Sequence, residues 1–399
     1  MHAVSSSVTD ATTRSRRPAT TLLALGWDHD RCTAPMRACT EAWARLHPEV
    51  ELLWENRSLT AFGDEPVEAV AHRYDLIMID HPFCGTAEAT ATLAPLDDLL
   101  GAEVLATLAA DSVGPSHASY TFHGRQWALA TDAACQVAAV REDLLDRAPA
   151  PATWDEVRVL ARAQAGRVAV PLAPAQAMCA FLTLCANAGC AAAQDLARFV
   201  DADVGLAAVA LLQELYALGP PAALEWEQPD VLARLTSGDE LVYIPLVFGF
   251  VTYARDDRVP SPCRFLDVPS AGAGPVGAIL GGAGLAVSAT SAHPEEAAAF
   301  AAFASGAEAQ RTLVGPAGGQ PGSRTAWTAP ELDRASGGFF SGTFATIERA
   351  WVRPRERWWP AFQLEGGRLL NRGLATAEPP RALLDTLESA FRDCIRRYS

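Results

Sequence analysis

The sequence contains no lysine. All 32 of its basic side chains are arginines, set against 47 acidic ones, for a formal net charge of −15. With no basic run it lacks the electrostatic footprint that a nucleic-acid backbone or an anionic membrane surface requires. The lysine deficit itself fits codon bias in a GC-rich genome and carries no functional weight. No apolar run approaches the ~18 residues of a membrane span, so membrane insertion is not expected. HExxH, GxSxG and P-loop patterns are missing. Gly281, Gly282 and Gly284 do not form a GxGxxG at a strand-to-helix turn, which excludes a dinucleotide fingerprint. No cofactor and no metal is expected from motifs.

Disulfide signals are missing too. Nine cysteines is an odd number, none forms a CxxC pair, and most sit in apolar company. That suits small buried hydrophobes in a reducing compartment better than a disulfide framework. Arg14, Arg16 and Arg17 precede a short apolar stretch that runs into Trp27, Asp28, His29 and Asp30 with no small-residue cleavage site. Its removal would delete the first strand. Residues 1–19 are therefore expected to be a disordered tail without a signal peptide, which reads as a cytoplasmic protein.

At 399 residues, half of them apolar, the chain exceeds the size at which single cores stop growing, and two lobes are expected. The stretch Tyr74 to Cys84, YDLIMIDHPFC, organises the reading. Leu76 to Ile79 is an unbroken apolar run ended by Asp80, His81 and Pro82, the pattern of a strand buried on both faces. Leu22 to Leu25 leads in the same way into Gly26, Trp27, Asp28, His29 and Asp30. Open α/β sheets bind ligands beyond the carboxyl ends of their strands, so the two Asp-His pairs are expected at one crevice.

Between these strands, Thr33 is expected to cap a helix carrying Met36, Cys39, Trp43 and Leu46, and Val50 to Trp54 to alternate as a strand. A short helix begun by Pro66 completes a βαβαβ unit, the pattern of a parallel sheet. Leu93 to Leu100 reads as a loop before a helix over 103–110. Arg125 to Val140 holds Thr131 and Asp132 between two extended apolar runs, as a strand passing between lobes would. Helices are expected over 154–164, 175–188, 194–199 and 204–218, a strand over 240–247, crossovers at 260–275 and 315–327, one or two strands over 276–288, and helices over 294–305, 307–313 and 378–398. There are no internal repeats.

In this order, the segments TLLALGWDHD with its helix, HPEVELLWENRS, RYDLIMIDHP, WALATDAACQVAAVRED, YIPLVFGF, GGAGLAVSATSAHPEEAAAF and GGQPGSRTAW resemble the family 1 extracellular solute-binding proteins of ABC importers. The resemblance covers roughly residues 20–399. It implies an α/β, two-lobed type II periplasmic-binding-protein fold with several interlobe crossing segments, closing on a small organic ligand, often sugar-like. The lobes would be 20–130 plus 276–318 and 131–275 plus 319–399. It also implies a small-molecule partner and, for an exported protein, an ABC permease; a monomer is expected.

Candidate ligand-binding residues are Trp27, Asp28, His29, Glu55, Arg57, Asp80, His81, Asp132, Tyr243, Phe248, Tyr253, Gln320, Arg324 and Trp327. The aromatics, with Trp54 and Phe83, lie at strand ends or in the crossing loop, where ring faces supply contact area and polar groups fix orientation. Three readings of Asp28, His29, Asp80 and His81 stand side by side: capping of backbone amides, hydrogen bonding to ligand hydroxyls or amines, and acid-base or metal chemistry. The third would make the protein a cytosolic isomerase, cyclase, lyase or hydrolase with these four as catalytic groups. Arg57 and Arg324 are candidates for a ligand carboxylate or phosphate, or for ordinary salt bridges.

Overall fold

The computed structural model describes residues 20–145 and 148–398. The expected tail at 1–19 lies outside them. The elements that place the site are, in chain order, β1 (Thr20–Trp27), α1 (Asp30–Leu46), β2 (Val50–Arg57), α2 (Leu59–Asp64), β3 (Leu76–Ile79), β4 (Leu129–Val140), α3 (Pro174–Asn187), α4 (Gln228–Ser237), β5 (Tyr243–Phe248), β6 (Arg264–Leu266), β7 (Leu280–Ser288), α5 (Phe339–Glu348), α6 (Trp359–Ala375) and α7 (Pro380–Tyr398). The main sheet runs β2-β1-β3-β7-β4-β5, with β6 on β4 and the short strand Leu93–Ala94 on β7. β1 pairs in parallel with β2, Thr20 to Trp27 against Val50 to Arg57, and with β3, Ala24 and Leu25 against Leu76 and Ile77. The expected βαβαβ unit is thus present.

β3 is buried along its whole length, and its side chains alternate between two cores. Leu76 and Met78 join one with Leu22, Trp43 and Phe300; Ile77 and Ile79 join another with Leu25, Val70 and Tyr120. A strand with an apolar layer on each face has no polar position to spare, which is why its sequence is continuous rather than alternating. β2, at the sheet edge, does alternate at its start, with Val50 and Leu52 buried and Glu51 and Leu53 exposed.

β4 is the hinge of the topology. Leu129 to Cys135 pair antiparallel with β7, whereas Gln136 to Val140 pair with β5 and β6. Every one of its twelve residues is buried. The second half opens onto a helical core of Phe181, Phe199, Trp359, Phe362 and Phe391, in which Phe181 stacks on Phe199 at 5.8 Å and the other ring pairs meet edge-on or tilted at centroid distances of 4.8 to 5.7 Å.

Some expectations need correction. The first helix begins at Asp30 rather than after Thr33, because His29 is its cap and its Nδ1 accepts from the Arg31 amide at 3.0 Å. Residues 194–199 form turns instead of a helix: the Asp195 carboxylate takes the Ala197 and Arg198 amides, the local competition that favours turns. The expected crossover at 260–275 contains β6, while residues 276–288 supply one strand, β7, within the one or two expected. Helices α5 and α6 were not expected at all. All nine cysteines are free, eight of them buried.

Candidate functional site

The carboxyl ends of β1 and β3 and the middle of β4 open on a cavity of about 120 Å³, room for roughly four waters at their liquid volume. One wall is Trp27, Phe62, Phe248 and Phe250. Trp27 ends β1 and packs on Phe62 at 5.9 Å and edge-on to Phe250 at 6.3 Å. Its indole Nε1 is buried with no hydrogen-bond partner.

Two buried ion pairs brace the floor. Arg31, one residue into α1, grips both carboxylate oxygens of Asp132 on β4, donates to the Gly249 carbonyl at 2.9 Å and lies over the Phe250 ring at 4.6 Å. Burial pushes the Asp132 carboxyl up against the pull of Arg31. The second pair is Asp80, just past β3, with Arg353. Arg353 Nη2 reaches both carboxylate oxygens, at 2.9 and 2.7 Å, and Nη1 donates to Gln363 on α6 at 3.0 Å. Burial alone would raise the Asp80 carboxyl; Arg353 and His81 overcome it and hold it at about 2. The Arg353 Nε has no partner.

His81 lies beneath Asp80, 1% exposed, with Nδ1 at 3.2 Å from the carboxylate and Nε2 unpartnered. Burial and the Arg353 charge lower its pKa to about 4, so the ring is neutral near pH 7. His29 is also lowered to about 4, by burial and Arg31.

The opposite wall is a chain of amides and a carboxylate. Gln228 donates to Gln176 at 2.7 Å, and Gln176 donates to Glu227 at 2.6 Å. Gln228 Oε1 is left without a partner. β7 contributes Gly281 and Gly282. A Cβ on Gly281 would stand 2.6 Å from the Phe248 ring, and one on Gly282, whose φ is +117°, would stand 2.3 Å from the Asp132 carbonyl. Only glycine allows the two strands this approach.

Of the sequence candidates, the cavity brings together Trp27, Asp80, Asp132 and Phe248. The others lie elsewhere. Asp28 is exposed; His29 stacks behind Trp27 and against Phe250 and Tyr253. Glu55 accepts from the Tyr74 hydroxyl, and Arg57 pairs with Glu65 at 3.2 Å and with the Met78 carbonyl. Tyr243 lies in the helical core, its hydroxyl on the Pro151 carbonyl, and Tyr253 donates to the Pro229 carbonyl. Gln320 bonds the Ala133 carbonyl and the Val251 amide, Arg324 pairs with Glu348, and the Trp327 indole donates to the Phe340 carbonyl. Trp54 donates to Thr40, and Phe83 is core.

Sequence reasoning missed Arg31, Arg353, Gln363, Gln176, Glu227 and Gln228. A signal existed for three of them: Gln176 follows Pro174, and Glu227 and Gln228 precede Pro229, polar groups in the first turns of proline-started helices. Arg353 is 273 residues from its partner, and nothing local announces it. Among the described residues no group of three or more His, Cys, Asp or Glu is placed to hold a metal ion, and no helix is long and apolar enough to cross a membrane.

Residues 67–335 match the family model of bacterial extracellular solute-binding proteins. The chain belongs to this family. Solved structures share the fold. It superposes on maltose-bound MalE3 of T. maritima with a TM-score of 0.80 at 18% identity, covering 94% of this chain and 100% of that one. A solute-binding protein of Agrobacterium radiobacter K84 in complex with ribitol gives 0.79 at 19% identity with the same coverage, and one from Thermotoga lettingae TMO bound with α-D-tagatose gives 0.80 at 16%, again with that coverage. No curated protein matches. As a solute-binding protein with the two-lobed periplasmic-binding fold, the chain binds a small molecule in its cleft.

Proposed function

We propose that the solute is a small polyhydroxylated molecule, a carbohydrate or polyol, held reversibly in this cavity and presented to the permease of an ABC importer. One observation carries the reading: three residues lining the aromatic-walled cavity, Trp27, Gln228 and Arg353, each hold a buried polar atom without a partner. Such atoms cost about 1–3 kcal/mol each when left unpaired. Two are donors and one is an acceptor, and hydroxyl groups supply both complements. The apolar faces of a sugar or polyol suit the rings of Trp27, Phe248 and Phe250. The three structural relatives above hold maltose, ribitol and tagatose, all of this kind.

In this reading residues 20–130 with 276–318 form one lobe and 131–275 with 319–399 the other, and β4, whose halves pair on different sides, carries the chain between them. Closure brings the Trp27 wall toward the Gln228 wall. No observation favours the enzymatic alternative: Asp80 is tied to Arg353 and held at about 2, so it is a poor base, and the free nitrogen of His81 is buried. The family is extracellular, whereas the cytoplasmic reading draws on residues 1–19, outside the described residues, and on cysteines that form no disulfide; cell fractionation decides between them. The chain acts as a monomer, which size-exclusion chromatography checks.

The experiment is a thermal-unfolding screen against a library of sugars and polyols, with the ligand recovered afterwards. A solute at a hundred times its Kd stabilises by about 2.7 kcal/mol, and it should be recovered unchanged. A flat library overturns the solute class, and consumption of the ligand overturns the binder.

A further inference from the structure

The charges lining the cavity do not balance. Its two cations, Arg31 and Arg353, are each committed to a carboxylate, Asp132 and Asp80. Two further carboxylates line the same space, Asp64 at the end of α2 and Glu227 at the start of α4. Neither forms an ion pair among the described residues; Arg368 acts on Asp64 only at a distance. Glu227 accepts a neutral amide hydrogen from Gln176 and feels the charge of Asp64, which adds to the rise that burial imposes on its carboxyl. Beside it Gln228, only 8% exposed, keeps its Oε1 without a donor.

This corner of the cavity therefore offers two carboxylates and the Gln228 Oε1 acceptor with no cation among them, its side-chain donors being the neutral amides of Gln176 and Gln228. A neutral hydroxyl would satisfy one lone pair and leave both negative charges uncompensated, which is costly at half-buried Glu227 and less so at Asp64, whose side chain also reaches solvent. A group with several N–H donors, no acceptor and a positive charge meets all three demands, as an ammonium does. We infer that the solute carries a protonated amine, as an amino sugar or amino polyol does, and that Asp64, Glu227 and Gln228 Oε1 receive its ammonium. The inference rests on the cleft-binding reading above and narrows it.

The test is calorimetric titration of matched pairs from monosaccharide to trisaccharide size, D-glucosamine against D-glucose and amino-sorbitol against sorbitol among them, with wild type, D64N and E227Q. The readout is the amine-to-neutral affinity ratio. A charge-assisted contact in such a place corresponds to about tenfold or more in binding, so wild type should favour the amine members by at least that factor and each variant should lower the ratio about tenfold. Circular dichroism confirms that the variants fold. A ratio of one or below in wild type, or a ratio unmoved in both variants, overturns the inference while leaving polyol binding intact. Binding of neither class overturns both.

Discussion

Replacing Asp132 by Leu should destabilise the fold by about 3 kcal/mol, near the low end of the range for breaking a buried ion pair. The side chains of Arg31 and Asp132 are 4% and 8% exposed, so solvent cannot replace the lost partner. The guanidinium would keep the Gly249 carbonyl and the faces of Phe250 and Trp27; a desolvated cation–π contact returns about 2 kcal/mol, which does not replace a carboxylate. Arg31→Met should cost a similar amount by stranding the carboxylate. Restoring an apolar site with Arg31→Met/Asp132→Leu should recover much of the loss, because replacing both charges avoids an unpaired ion. Equilibrium unfolding in urea, with equal m-values checked, gives the four stabilities, and the double variant should lie 2 kcal/mol or more above the sum of the singles, on the order of couplings seen between contacting residues. Single variants costing less than 1 kcal/mol, or an additive double, would refute the bracing role of this pair.

His81 and His29 are held below their ordinary pKa of 6.5, at about 4. The unfolded chain therefore binds protons the native one refuses, and stability should fall as pH drops from about 6.5 to 4, by roughly 3 kcal/mol for His81 alone; His81→Gln should flatten that window, leaving the part due to His29. Asp80, held at about 2, should lose its contribution only between about pH 4 and 2, seen as a second step in the same titration. Gly282→Ala should cost at least about 2 kcal/mol, since it meets both a positive φ and the Asp132 carbonyl, whereas Gly281→Ala should cost less because the Phe248 ring can turn aside; unfolding curves rank the two.

Much of this fold is legible in the sequence because its strands are short, apolar and stopped by polar residues. β3 reads as buried on both faces since both faces are in fact core, and Trp27 and Asp80 are found by asking where such strands end. Pairs such as Asp80–Arg353 escape that reading because both partners look ordinary until the chain has folded. Arg57 and Arg324 show the converse: each stands where a ligand anion would suit it, yet Glu65 and Glu348 claim them. The doubled Asp-His motif divides for a local reason. Adjacent residues on an extended segment point apart, so Asp80 faces the cavity while His81 turns inward. At the first motif the helix starts at once, which turns His29 into its cap and leaves Asp28 in solvent.

The central claim is that the space between Trp27, Gln228 and Arg353 is where solute binds. Calorimetric titration of wild type and Trp27→Ala with the best solute from the library tests it most directly. The account predicts one saturable site per chain, weakened tenfold or more by loss of the indole in a protein that still folds. Undiminished affinity in folded Trp27→Ala would place the solute elsewhere and contradict it.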